Sequence, residues 1–284
     1  MRKTAVAALI LVVVILLLVA LLPYLSNKEN ITYEEAVSKW AKGKFVTVDN
    51  KKVHFLEQGE GKPVILIHGF LYHSVMWKKN IEALAKGFKV YAVDLWGWGF
   101  SERLRDPKYS FELYGRQIVG FMDALKIDKA SLVGQSMGGG VSVYVAAHFP
   151  ERVDRLILVD PAVIPFPMST TGRIYQLPLV GEFLNAIPGN ALIKRNIQTV
   201  WFHDPQKVTD EYVEEVARPL AIKGNKAILI VHGREDRAIP LDRSQKLNAL
   251  WKGSRLVVFE KAGHTPQEEH PEQFNQLALE FLSR

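Results

Sequence analysis

The chain contains no cysteine among its 284 residues. This absence excludes disulfides, thiolate nucleophiles and cysteine-based metal sites, and it leaves the redox compartment unassigned. The sequence also lacks an HExxH motif and any histidine-rich cluster, so we expect no catalytic metal. Its glycine-rich stretch GQSMGGG matches neither the Walker A pattern nor GxGxxG. The sequence therefore predicts no phosphate-binding loop and no organic cofactor.

Charge of one sign is not concentrated in any part of the chain. The net charge is +6, from 36 Lys and Arg against 30 Asp and Glu, but the two signs are interspersed and no basic block of binding length occurs. We therefore expect no nucleic-acid partner. Hydrophobic residues make up 48% of the chain, which is enough for one large α/β domain or two small ones.

The N-terminus carries the longest apolar run. Residues Ala5 to Leu22 are drawn only from Ala, Val, Ile and Leu, which is long enough to cross a hydrocarbon core. The run is longer than a typical signal peptide core and lacks a small-x-small cleavage site, which favours an uncleaved single-pass anchor over a secreted product. Because Arg2 and Lys3 precede the run, the N-terminus is predicted to be cytoplasmic and the following domain periplasmic in a bacterium.

The remainder of the chain shows an alternating α/β pattern. A predicted helix, ITYEEAVSKWAKG, follows the anchor and tether of residues 1–30. Two apolar runs joined by DNKK resemble a hairpin, and the later runs are nearly continuous, as parallel strands covered on both faces are. We therefore predict a doubly wound, mostly parallel eight-stranded sheet. The eight runs are FVTVD, VHFLEQG, VILIHG, VYAVD, SLVGQS, LILVD, ILIVHG and LVVFE.

One interval interrupts this alternation. More than sixty residues separate LILVD from the strand that begins near Ala227, which is too long for an ordinary connection in a compact domain. We predict a helical cap over residues 161–226, inserted between two parts of the core at residues 31–160 and 227–284. The apolar, proline-interrupted segments of this cap are expected to cover the site and set substrate choice. A plain helical crossover with an irregular loop is the alternative.

Ser136 lies between an apolar run and a helix-compatible run, with Gly134 and Gly138 on either side. A serine on such a turn is either a helix cap or a nucleophile. A neutral serine needs an imidazole to take its proton, and the imidazole needs a buried carboxylate to orient it. His264 follows the last strand and Asp236 the strand before it, and Asp160, at the end of LILVD, is the alternative acid.

Five stretches together resemble the α/β-hydrolase superfamily: VILIHGF, DLWGWGFS, LVGQSMGG, HGREDRAIP and AGHTPQEEHPEQF. The resemblance implies the chain order Ser136, Asp236, His264, with each residue at the carboxyl end of a strand. It also implies an oxyanion hole formed by the backbone N–H groups of Phe70 and Met137.

Other residues of the matched stretches receive structural interpretations. His68 is interpreted as a hydrogen-bond partner in the HG turn rather than as a base, and Asp94 as the organiser of the DLWGWGFS loop. Trp96, Trp98 and Phe100 either line the pocket or pack in the core.

A serine at position 136 argues against haloalkane dehalogenases and epoxide hydrolases, which attack with a carboxylate. The apolar cap sequence and the predicted membrane anchor favour small hydrophobic esters as substrates, so we expect an esterase that resembles monoacylglycerol lipase-like serine carboxylesterases. Two alternatives stay open. A meta-cleavage-type carbon–carbon hydrolase fits GQSMGG and GREDRAIPLD, although these enzymes generally stay in the cytoplasm. A catalytically silent, membrane-tethered binding protein is the other. The sequence does not indicate an oligomeric state.

Overall fold

The computed structural model describes residues 32–70, 72–104, 109–163, 228–250 and 254–283. Residues 32–35 belong to one compact unit, and the described residues from Ala36 onward belong to a second. Helix α1 (Tyr33–Trp40) contains the boundary and confirms the helix predicted there. Its first turn is a capping box, in which Thr32 Oγ1 accepts from the Glu35 amide at 3.2 Å and Glu35 Oε2 accepts from the Thr32 amide at 3.0 Å.

The second unit contains one eight-stranded sheet, as the alternating apolar runs predict. The strand order is β1-β2-β4-β3-β5-β6-β7-β8. Strand β2 pairs antiparallel with β1 and β4, and all other neighbouring strands are parallel. The strands are β1 (Lys44–Val48), β2 (Lys51–Gln58), β3 (Pro63–Ile67), β4 (Lys89–Val93), β5 (Ala130–Gln135), β6 (Val153–Val159), β7 (Ile228–Gly233) and β8 (Ser254–Phe259).

The predicted hairpin joins β1 to β2 through a two-residue turn. Asp49 and Asn50 both have positive φ angles, 48° and 60°. Asp and Asn adopt this left-handed conformation more readily than most residues, and such a turn matches the twist of the flanking strands. The local sequence therefore determines this pairing.

Both faces of the sheet are buried, which explains why its parallel strands read as continuous apolar runs. In β3, Ile65 and Ile67 pack into one core cluster while Val64 and Leu66 pack into the other. Side chains alternate across a strand, so both sets must be apolar. Helices α3 (Phe111–Ala124) and α4 (Met137–His148) contribute to the first cluster, and α2 (Lys78–Leu84) and α7 (Pro271–Ser283) to the second.

Two shorter helices, α5 (Leu241–Leu250) and α6 (Pro266–Glu269), and two 3₁₀ turns, Ser74–Trp77 and Pro150–Arg152, complete the described elements. The predicted anchor and tether, residues 1–30, lie outside the described residues, as does the predicted cap apart from residues 161–163. Among the described helices, none is long and apolar enough to cross a membrane.

Candidate active site

Ser136 occupies a strained turn between β5 and α4. Its φ is 49° and its ψ is −114°, a region that residues with a side chain rarely adopt. A β-carbon at Gly138 would collide with the carbonyl oxygens of Ile67 and His68, and one at Gly134 would collide with the Gly138 carbonyl. The glycines on both sides of the serine are therefore required by close backbone approach. This is the strand-turn-helix context in which a GxSxG serine presents its hydroxyl at the sheet edge.

The segments that carry the predicted oxyanion donors flank Ser136. The turn after β3 lies against the serine, because a β-carbon at Gly69 would be 3.2 Å from Ser136 Cβ. Phe70 is the next residue of that turn, and Met137 is the first residue of α4. The N-terminus of a helix carries a partial positive charge, which suits an oxyanion. The assignment of these two amides as the oxyanion hole stays a prediction.

The structure brings His264 and Asp236 into direct contact. His264 Nδ1–H donates to Asp236 Oδ2 at 2.8 Å, and the amides of Ala238 and Ile239 donate to Asp236 Oδ1 at 2.7 and 3.0 Å. Burial by itself would raise the pKa of Asp236, but the hydrogen bond and charge of His264, with the Ile239 amide, lower it. This geometry leaves His264 Nε2 available to accept a proton.

The segments that carry Ser136 and His264 are joined by the side chain of Gln135 rather than by a contact between the two reactive groups. Gln135, directly before the serine, donates from Nε2 to the His264 carbonyl at 2.7 Å. In the described residues the Ser136 hydroxyl makes no hydrogen bond with the imidazole, and such contacts are often loose before substrate binds. Sequence reasoning missed Gln135, although its place beside the nucleophile was a usable signal.

The loops that carry the acid and the base are also joined to each other. The Glu235 amide donates to the Ala262 carbonyl at 2.9 Å, and the Ala262 amide donates to Glu235 Oε2 at 3.0 Å. A β-carbon at Gly233 would collide with the Gly263 carbonyl. The relative position of Asp236 and His264 is therefore held by backbone contacts as well as by their own hydrogen bond.

A second buried carboxyl group, Asp160, lies at the end of β6. It has a positive φ of 41°, and its Oδ1 accepts from the Gly233 amide at 3.0 Å. His264 contacts Asp236 and not Asp160, which supports the predicted choice of acid. Sequence reasoning also missed His232, which is fully buried with Nδ1 3.2 Å from Asp160 Oδ1. Its signal was the HG pair that ends β7, which repeats the one after β3.

Asp160, His232 and Asp236 are the described residues whose ligand atoms lie close enough together, within 4.8 Å, to hold a metal ion. Two of the three residues are already hydrogen-bonded, because Asp236 Oδ2 accepts from His264 and His232 contacts Ser244 Oγ at 2.8 Å and the Ile239 carbonyl at 3.1 Å. Asp160 Oδ1 accepts from the Gly233 amide, and only its Oδ2 is without a partner among the described residues. The arrangement fits a hydrogen-bond network better than a metal centre.

His68 is a structural residue, as the sequence interpretation has it. Its Nδ1–H donates to the Gly69 carbonyl at 2.7 Å, and its Nε2 accepts from the Leu95 amide at 2.9 Å. Complete burial is the largest influence on the ring and lowers the pKa of His68 to about 4, so it is neutral at pH 7. A ring that accepts an amide N–H in this way is not free to act as a base.

The loop after β4 is organised by Asp94, which accepts from the Phe100 amide at 2.9 Å and from the Ser74 amide at 2.6 Å. Trp96 is 2% exposed and packs in the core, so it does not line a pocket. Trp98 is partly buried and meets the Phe70 ring edge to face, with centroids 4.4 Å apart. Trp98 therefore lies beside the turn that carries a predicted oxyanion donor.

Comparison with known proteins gives the same fold. A family model described as alpha/beta hydrolase fold matches residues 62–202 and 193–271. The chain is 30% identical to 2-hydroxymuconate semialdehyde hydrolase of Pseudomonas sp. (strain CF600), over 85% of this chain and 94% of that protein.

Two solved structures extend the comparison. A meta-cleavage product hydrolase (CumD) of Pseudomonas fluorescens IP01 has a TM-score of 0.67 at 29% identity, over 85% of this chain and 97% of that one. Carboxylesterase CesB of Bacillus subtilis has a TM-score of 0.66 at 22% identity, over 93% of this chain and 98% of that one, and shows the fold alone. The chain is a hydrolase and belongs to the alpha/beta hydrolase fold family.

Proposed function

We propose that the protein hydrolyses a carbon–carbon bond next to a keto group in an acidic dienoate, the substrate class of the meta-cleavage hydrolases. The observation that carries the proposal is the 30% identity to 2-hydroxymuconate semialdehyde hydrolase over 85% of this chain and 94% of that protein. Ester hydrolysis, which the sequence alone favours, becomes the second candidate. The predicted anchor argued against carbon–carbon hydrolases, and that anchor lies outside the described residues.

In the proposed mechanism, Ser136 is the nucleophile and His264 moves the protons. Ser136 Oγ attacks the keto carbon while His264 Nε2 takes the hydroxyl proton, and Asp236 stabilises the imidazolium that forms. The amides of Phe70 and Met137 donate to the developing oxyanion. Before cleavage, the 2-hydroxydiene tautomerises: its hydroxyl proton is lost and a proton is gained at the carbon next to the keto group, which leaves a 2-oxo group conjugated with one double bond. The carbon–carbon bond then breaks, its electron pair is delocalised onto that 2-oxo group as a dienolate, and the dienolate takes the proton from His264. Water, deprotonated by His264, releases the acyl group from Ser136.

Substrate comparison tests the proposed reaction. Purified full-length protein is assayed with 2-hydroxymuconate semialdehyde, with p-nitrophenyl esters of increasing chain length and with monoacylglycerols, beside Ser136→Ala as the blank. We expect kcat/KM for the dienoate to exceed that for every ester by at least roughly tenfold, which corresponds to about 1.4 kcal/mol of transition-state stabilisation. An enzyme that hydrolyses esters but leaves the dienoate intact would refute the proposal.

Hydrolysis of hydrophobic carboxylic esters is the second candidate because the segments PAVIPFPM and LPLVGEFLNAIP of the predicted cap are apolar. An acyl chain buried against such a surface gains about 0.8 kcal/mol per methylene. Under this candidate, kcat/KM rises with acyl length until the pocket is full. A profile that is flat from acetate to long-chain esters would argue against it.

A further inference from the structure

Two carboxyl groups lie close together next to the proposed catalytic base: Asp160 and Asp236 each have an oxygen within 4.8 Å of the other's, and Asp236 accepts from His264. Asp160 follows β6 and Asp236 follows β7, and these neighbouring parallel strands end at the same sheet edge. Both side chains are fully buried. Two adjacent buried carboxylates repel each other and are both desolvated, so ionising both of them costs free energy. We therefore expect one of the two to hold a proton.

The hydrogen-bond donors around the pair decide which group is charged. Asp236 accepts three N–H groups, from Ala238, Ile239 and His264. Among the described residues, Asp160 accepts one amide, from Gly233 on Oδ1, and none donates an N–H or O–H group to its buried Oδ2. Donors stabilise a negative charge, so the charge belongs on Asp236 and the proton on Asp160 Oδ2.

In the part of the chain that the structure describes, no neighbouring cation alters this assignment. His232 Nε2–H donates to the Ile239 carbonyl, which leaves Nδ1 to accept from the Ser244 hydroxyl, and burial lowers the pKa of His232. In this neutral form Nδ1 has no proton to donate to Asp160 Oδ1, which lies 3.2 Å away. The other titratable groups that influence Asp160 or His232 are Asp236, Glu269, Asp242 and His264. Burial, followed by the charge of Asp236, raises the pKa of Asp160 well above its usual range.

We propose that Asp160 is a positioning residue that stays protonated and donates a hydrogen bond to the ionised Asp236. The inference deepens the proposed function, on which its catalytic consequence rests. A neutral donor at this position holds the Asp236 carboxylate in place by a further hydrogen bond. It does so without adding a second negative charge near His264. The pair then has one negative charge, so the imidazolium of His264 is stabilised by a single carboxylate and not by two.

Infrared spectroscopy detects whether the Asp160 carboxyl group is protonated, and the measurement does not depend on enzyme activity. Difference spectra of wild type against Asp160→Asn at about pH 7, in H₂O and D₂O, are expected to show a carboxylic-acid C=O band in wild type that shifts in D₂O. The variant should lack it. A wild-type spectrum with no such band would show that Asp160 is ionised and would overturn the proposal, even if the enzyme hydrolyses its substrate normally.

Kinetic measurements distinguish two possible roles of the Asp160 side chain, that of a hydrogen-bond donor and that of a negative charge. The rate of Ser136 labelling by a fluorophosphonate, and kcat and KM on the best substrate, are measured against pH for Asp160→Asn and Asp160→Ala. Asparagine is neutral and retains an N–H donor, so we expect rates within about threefold of wild type and an unchanged acid limb. Alanine removes the donor, and we expect a loss of roughly 10- to 100-fold in kcat with little change in KM.

A large downward shift of the acid limb in Asp160→Asn would mean that a negative charge had been removed, contrary to the proposal. Thermal unfolding monitors the fold of both variants, and if the alanine variant does not fold, the infrared band and the asparagine variant still decide. If wild type hydrolyses neither dienoates nor esters and Ser136 is not labelled, the proposed function fails. The infrared result then still stands on its own.

Discussion

At the scale of single residues, Ser136 has a strained backbone with a positive φ, and this turn presents the hydroxyl of the proposed nucleophile. Contacts around Gly134 and Gly138 hold the turn, so the serine side chain contributes little to the fold. We expect Ser136→Ala to abolish hydrolysis and fluorophosphonate labelling while the free energy of unfolding changes by less than about 0.5 kcal/mol. Activity assays and urea unfolding measure the two effects. Labelling that persists in this variant would place the nucleophile elsewhere.

Because Asp236 orients His264 through a hydrogen bond, replacing its carboxylate by an amide of the same shape is predicted to lower kcat strongly. Asp236→Asn places an amide where the carboxylate holds the imidazole, so the wrong tautomer is favoured and kcat is expected to fall by about 10⁴. Steady-state kinetics measure this loss. If Asp236→Asn stays active while Asp160→Asn is inactive, the acid has been assigned to the wrong residue.

Gln135 contacts the loop of the base, so its side chain is expected to matter for rate more than for binding. Gln135→Met removes the donor to the His264 carbonyl at similar volume, and we expect kcat to fall roughly 5- to 30-fold, or about 1–2 kcal/mol. Gln117→Met is the matched control, because Gln117 is equally buried but bonds to Asp94 and Trp96. If kcat falls equally in both variants, the loss comes from disturbed packing and not from the hydrogen bond of Gln135.

At the scale of elements, the turn after β3 depends on a histidine that must stay neutral. The pKa of His68 falls from 6.5 to about 4 in the folded protein, so the unfolded chain binds more protons between these values. The stability that neutral His68 contributes is therefore complete above pH 6.5 and is lost as the pH falls towards 4. Over that window we expect a loss of about 3 kcal/mol from this residue.

Urea unfolding at several pH values between 7 and 4 measures this linkage. His68→Gln should be less stable than wild type at pH 7 but should lose less stability on acidification. His148→Gln is the control, since His148 is exposed at the end of α4. Parallel curves for wild type and His68→Gln would contradict the prediction.

At the scale of the whole molecule, the N-terminal apolar run predicts membrane attachment. We expect full-length protein to fractionate with membranes and a variant that starts near Asn30 to be soluble and active, because Ala5 to Leu22 is long enough to span the hydrocarbon core. Ultracentrifugation with carbonate washing and an activity assay test both parts. Full-length protein in the soluble fraction would contradict it, and mature protein lacking the first residues would indicate a signal peptide.

The sequence by itself determined the elements and the chemical groups of this protein. Eight strands follow from eight apolar runs, and the hairpin turn follows from Asp49 and Asn50, because these patterns depend on residues that are close along the chain. Ser136, Asp236 and His264 could be named because each follows a strand directly or within a few residues. Parallel strands bring such positions to one sheet edge.

Only the tertiary structure decided how these groups act on each other. Gln135 and the carbonyl it contacts are 129 residues apart, and no local pattern encodes that contact. The resemblance favours Asp236 over Asp160 as the acid, but each follows a strand of the same sheet and the sequence does not show which of them is ionised. Among the described residues, three donors meet at Asp236 and one at Asp160, so the fold assigns the charge to one and the proton to the other. Protonation depends on burial and on the direction of N–H groups, which exist only once distant segments have packed.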